Sequence, residues 1–107
     1  MAGALADYNR AIELAPAAPL AYLNRAMIWR GRGDWAQAVA DYDQTIALNP
    51  RHADAYCNRG LVRLRQGEEA TAEKDFARCL ELNGELKASL EQRIRETKAQ
   101  MAAHTPR

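Results

Sequence analysis

The chain has 107 residues, 48% of them hydrophobic, with one Phe, two Trp and four Tyr as the bulky fillers; this length holds one small domain with a modest core. Fifteen Lys and Arg against fourteen Asp and Glu give a net charge of +1, leaving no basic field to attract a nucleic-acid backbone. No apolar run approaches the roughly 20 residues of a membrane span, and the opening MAGALADYNR lacks the basic region and apolar core of a signal peptide; a soluble, cytoplasmic protein with no nucleic-acid or membrane partner is expected.

Six helices are predicted in chain order, over residues 2–14, 18–31, 35–48, 52–66, 69–82 and 85–103. The third shows the pattern most clearly: Ala38, Val39, Tyr42, Thr45 and Ile46 recur at helical spacing and define one packing face. Asp34 followed by Gln37 reads as a capping box for its first turn. Pro50 stops that helix by denying a donor, and Asn83-Gly84 stops the fifth by tolerating a left-handed cap.

The elements repeat with a period of 34 residues. Asp7, Asp41 and Asp75 coincide, as do Tyr8, Tyr42 and Phe76, and Ile12, Ile46 and Leu80. So do Tyr22 and Tyr56, Asn24 and Asn58, Arg25 and Arg59, Ala26 and Gly60, and Gly33 and Gly67. Small residues at Ala26 and Gly60, with Ala38 and Ala72 facing them, predict closely packed helix pairs.

Each unit is a helix, a Gly-Asp or Gly-Glu turn, a second helix and a closing Asn-Pro. With Trp29, Gly33, Asp34, Ala38, Tyr42 and Pro50 in that order, it resembles the tetratricopeptide repeat (TPR) family over roughly residues 2–84. The resemblance implies an all-α, right-handed solenoid of antiparallel hairpins. One domain over residues 1–107 divides into an orphan second helix (2–16), two repeats (19–52 and 53–84), a capping helix (85–103) and a frayed tail (104–107). Arg63 replaces the aromatic seen at Trp29, and Gly84 replaces the closing Pro.

Each aspartate of the set Asp7, Asp41, Asp75 precedes by 18 residues an arginine of the set Arg25, Arg59, Arg93, which predicts an ion pair at each repeat junction. Leu86, Leu90, Ile94 and Met101 form the apolar stripe expected of a capping helix. No helix precedes the first, so self-association through the uncapped N-terminal end, or membership of a longer array, is expected. Cys57 and Cys79 lack metal-site spacing and are expected to be reduced, partly buried thiols.

No catalytic motif is present, and neither a cofactor nor a metal is expected. Function is expected on the concave face formed by the first helices, which binds a peptide or helix of a partner protein. Candidate groove residues are Leu20, Leu23, Asn24, Met27 and Arg30 of one repeat and Cys57, Asn58, Leu61 and Arg65 of the next, with Asp54 and Leu64 beside them. The resemblance implies that Asn24 and Asn58 face the groove, where an amide can serve a peptide backbone as both donor and acceptor. Glu91, Gln92 and Arg95 extend the surface onto the last helix. The alternative is a structural segment whose surfaces stack on copies of itself or on the rest of a longer chain.

Overall fold

A computed structural model describes residues 2–104. Its helices are α1 (Ala2–Leu14), α2 (Pro19–Arg32), α3 (Trp35–Leu48), α4 (Ala53–Arg65), α5 (Glu69–Leu82) and α6 (Lys87–His104), with a 3-10 turn at Gly84–Leu86. Among the described residues there is no strand. All six predicted helices form within two residues of the expected ends, except that the last begins as the 3-10 turn. Of the predicted frayed tail, His104 ends α6 and residues 105–107 lie outside the described residues.

Local chemistry fixes the turns. Pro19 opens α2 at a position where its missing N–H costs nothing. Gly33 and Gly67 adopt φ of 79° and 82°, the left-handed conformation that lets a chain leave one helix and enter the next. Asp34 does not cap α3 as expected, because its side chain makes no capping hydrogen bond. Its backbone lies at φ −85° and ψ 72°, outside the extended region from which a capping side chain reaches back, and its N–H closes α2 on the Trp29 carbonyl. His52 caps α4 instead, its Nδ1 accepting from the Ala55 N–H at 3.3 Å.

α2 pairs with α3 and α4 with α5 as antiparallel hairpins; α2 stacks on α1 and α4 on α3. The predicted small residues sit where the helices touch, with Ala26, Ala38 and Ala72 fully buried. At Gly60 an added Cβ would fall 2.5 Å from the Phe76 ring. Two apolar clusters result, one of Leu23, Ala26, Ala38, Tyr42, Ala55 and Val62, the other of Cys57, Leu61, Leu64, Ala72, Phe76, Cys79 and Leu90.

The repeating ion pair lies inside each hairpin, not at the junction as expected. Arg25 Nε and Nη2 donate to the two Asp41 oxygens at 2.7 and 2.8 Å, and Arg59 does the same to Asp75 at 3.0 and 2.7 Å. The partners are 16 residues apart, because an arginine on a first helix faces the second helix of its own hairpin across the Gly turn. The junction receives only the third guanidinium nitrogen, Nη1, which reaches Asn9 from Arg25 and Asp43 from Arg59. Each tyrosine also ties its repeat to the preceding turn, Tyr22 Oη donating to the Pro16 carbonyl and Tyr56 Oη to that of Pro50, both at 3.0 Å.

Cys57 and Cys79 form a disulfide between α4 and α5, with Cα atoms 5.5 Å apart; the expectation of free thiols is overturned. The two positions face each other between α4 and α5 and are buried, so Cys57 points into the hairpin and not into the groove as expected.

Candidate functional site

The first helices α2 and α4 share one side of the stack with α6, and that side carries the candidate site. α6 packs against α4, whereas α4 itself packs against the second helix of the preceding repeat, α3. The 3-10 turn, held by Asn83 Oδ1 accepting from the Glu85 N–H at 3.1 Å, takes the contact with α5 and displaces α6 toward the groove. Leu90, Ile94 and Met101 of α6 then settle on Cys57, Leu61 and Leu64.

This placement divides the predicted groove residues. Leu20 and Met27 are 61% and 44% exposed, while Asn24, Arg30 and Arg65 are half-buried on the same side. Leu23, Cys57, Asn58, Leu61 and Leu64 are buried, none more than 8% exposed; the reason for the last four is the cover of α6 and the packing of α4 on α5. Asp54, Glu91, Gln92 and Arg95 are exposed.

The predicted pairing of Arg93 with Asp75 does not form. Asp75 is already filled by Arg59 and by Arg63, whose Nη1 donates to Oδ2 at 2.9 Å. Arg93 Nη2 donates to Asn58 Oδ1 instead, and Arg30 Nη1 donates to that same oxygen at 2.8 Å. Two guanidiniums therefore meet on one neutral acceptor. Burial lowers the pKa of Arg93, and the charge of Arg30 lowers it further. The Tyr42 hydroxyl lies within electrostatic reach of both arginines, and its pKa is pushed up chiefly by its burial; among the described residues it has no hydrogen-bond partner.

Beside this cluster opens a cleft of about 490 Å³, bounded by Arg30, Arg32 and Trp35 at the end of the first hairpin, Leu61 and Arg65 of α4, and Arg93, Glu96 and Gln100 of α6. Arg65 lies over the Trp35 ring at 4.9 Å and donates to Gln100 at 3.2 Å. Sequence reading missed this cleft, because the position of α6 on the stack is not encoded in the repeat. One signal was present: Arg93 aligns with Arg25 and Arg59, yet α6 runs on as one helix through the position of a Gly turn, and among the described residues no further helix supplies its acid.

Hairpins stacked in this way, with a groove along the first helices, define a helical-repeat solenoid that serves as a protein-interaction module. Family models described as TPR repeat and Tetratricopeptide repeat match residues 30–67 and 53–86, and the chain belongs to the tetratricopeptide repeat family. Among solved structures it is similar to the first TPR of Spaghetti (RPAP3) bound to an HSP90 peptide, SRMEEVD, at 26% identity and a TM-score of 0.79, over 92% of this chain and 77% of that one. The first TPR domain of human RPAP3 aligns at 27% identity and a TM-score of 0.75, over 94% and 81%. MamA aligns at 29% identity and a TM-score of 0.72, and there the match spans 79% of this chain but 49% of that one. Comparison with curated proteins yields no match.

Proposed function

We propose that this module binds a peptide or helix of a partner protein on the side formed by α2 and the flanking edge of α4. The observation that carries the reading is the exposure of Leu20 and Met27 on the groove side of α2, with the half-buried Asn24 between them. Two apolar anchors around an amide suit an extended or helical segment with one or two hydrophobic side chains, since the amide can serve its main chain without demanding a charge. The similar RPAP3 domain holds a peptide, which supports the same use of this fold here. Leu23 and Leu61 support the groove from beneath, and Arg30 and Arg65 bound it at the turn end.

Panning a random linear peptide library on the intact chain tests this. Selected peptides should lose about tenfold or more in affinity against a chain carrying Asn24→Ala and Met27→Ser. Equal binding to both chains would place the docking face elsewhere.

A second reading rests on α1. Leu14 is 73% exposed, Leu5 and Ile12 are only half-buried, and α1 packs chiefly against α2. Under that reading the open flank of α1 receives another copy or another repeat, and light scattering should show a molar mass that falls to the monomer value in Leu5→Glu or Ile12→Glu.

A further inference from the structure

We propose that Arg30, Arg93 and Asn58, with the buried Tyr42 hydroxyl behind them, form a site for a phosphoryl dianion carried on a partner's side chain. Four guanidiniums, those of Arg30, Arg32, Arg65 and Arg93, line the cleft with one carboxylate among the described lining residues, that of Glu96, and Asp54 lies within electrostatic reach of Arg93. Neither Arg30 nor Arg93 forms an ion pair among the described residues, in contrast to Arg25, Arg59 and Arg63, each of which has its aspartate. Asp54 and Glu96 offset part of the charge on Arg93, but neither forms an ion pair with it among the described residues, and two arginines that share one amide oxygen still repel.

The geometry shows what would satisfy them. Asn58 Oδ1 already stands where an anionic oxygen would accept from both guanidiniums. When an anion takes that place, rotation of the amide presents Asn58 Nδ2 as a further donor. Tyr42 contributes a buried hydroxyl that has no hydrogen-bond partner among the described residues. One carboxylate has two oxygens and one charge, which a single arginine fork saturates; a phosphoryl group has three oxygens and nearly two charges at neutral pH, and matches two forks and a hydroxyl better. The site lies toward the turn end of the groove, so it stands whether or not Asn24 and Met27 dock a peptide.

The test titrates the intact chain with O-phosphoserine, inorganic phosphate and glutarate at constant ionic strength. The Asn58 side-chain amide and the Tyr42 ring are followed by NMR. O-Phosphoserine should shift both sets of resonances saturably. Arg30→Gln and Arg93→Gln should each weaken that binding about tenfold, while Lys74→Gln, exposed on α5, leaves it unchanged. Arg93→Gln should also raise the melting temperature of the free chain, since it relieves the repulsion, and this readout stands even if the Arg30 variant folds poorly. Saturation by inorganic phosphate supports the site as well, with weaker binding than O-phosphoserine expected if a side chain is the carrier. Glutarate binding as tightly as O-phosphoserine would make this a carboxylate site and overturn the proposal, as would shifts that never saturate or that persist undiminished in both arginine variants.

Discussion

Trp29 and Arg63, one repeat apart, deliver a hydrogen bond to the same atom of their respective hairpins: Trp29 Nε1 donates to Asp41 Oδ2 at 3.1 Å, and Arg63 Nη1 to Asp75 Oδ2 at 2.9 Å. An indole and a guanidinium share little beyond a planar N–H, and that N–H is what the position supplies. The buried aspartates, Asp41 and Asp75, are 5% and 3% exposed, so each needs donors on both oxygens to remain in the core as an anion. The exchange of Trp for Arg keeps the donor and trades apolar area for charge.

Asp75→Ala should therefore cost about 3–5 kcal/mol, since it strands two partly buried guanidiniums. Arg63→Ala should cost less, about 1.5 kcal/mol, because Arg59 still holds both oxygens, and Arg63→Trp should recover most of that. Urea unfolding of the four chains measures the order. In double-mutant cycles, Asp41 should couple with Arg25 and far less with Arg59; the reverse would contradict the placement of the pair within the hairpin.

Gly60→Ala would ordinarily gain about 1 kcal/mol of helix propensity. Here the added Cβ falls 2.5 and 2.7 Å from two Phe76 ring atoms and 3.1 Å from Asp75 Cβ, on a ring held in the core. A net loss of about 1–3 kcal/mol is expected. Adding Phe76→Leu to Gly60→Ala should return part of it, so that the double variant is more stable than the sum of the two single losses predicts; strict additivity would show that the contact is not the cause.

What the sequence made legible follows from what a repeat encodes. Helix ends, the small contact residues and the closing tyrosines recur at fixed positions, so each is seen twice and can be read by alignment alone. The relation between Asp41 and its arginine could also be seen, but not its direction: intervals of 16 and 18 residues are equally regular in a periodic chain, and only the antiparallel turn at Gly33 decides for Arg25. The groove was less legible because α6 occurs once. Its seat on α4 follows from the 3-10 turn at Gly84–Leu86, and that seat buries Asn58 and brings Arg93 to Arg30.

Tyr42→Phe tests the orphan hydroxyl. A buried hydroxyl without a partner costs about 1–3 kcal/mol, so the Phe chain should be more stable than the parent by about 1 kcal/mol while binding O-phosphoserine less well. The two changes have opposite signs, which separates a role in binding from a role in packing. Burial also raises the Tyr42 pKa from its ordinary value of 10.0. Below that value both folded and unfolded chains hold the proton and the contribution is constant. As pH rises past it the unfolded chain ionises first, so this contribution is lost progressively until the folded value is reached. The parent should thus lose stability above pH 10.0 more steeply than the Phe chain, and parallel alkaline melting curves for the two would exclude the effect.

The disulfide makes a last claim that solution measurements can check. It closes a loop across 22 residues of the second hairpin, for which the loss of chain entropy in the unfolded state stabilises the fold by about 3 kcal/mol. A chain kept in reductant should therefore unfold at lower urea, and Cys57→Ala with Cys79→Ala should match the reduced parent within about 2 kcal/mol, the margin set by the small cavity left behind. Because both sulfurs are buried, reduction has to wait for opening of the α4–α5 hairpin. Its rate should rise sharply in Gly60→Ala, which loosens that hairpin, and remain unaffected by Asn24→Ala. In a reducing compartment the same positions hold two thiols, and the second repeat, with it the seat of α6 and the cleft beside Arg93, becomes the less stable half of the domain. Equal urea midpoints for oxidised and reduced chains would show that the bond adds nothing to the hairpin.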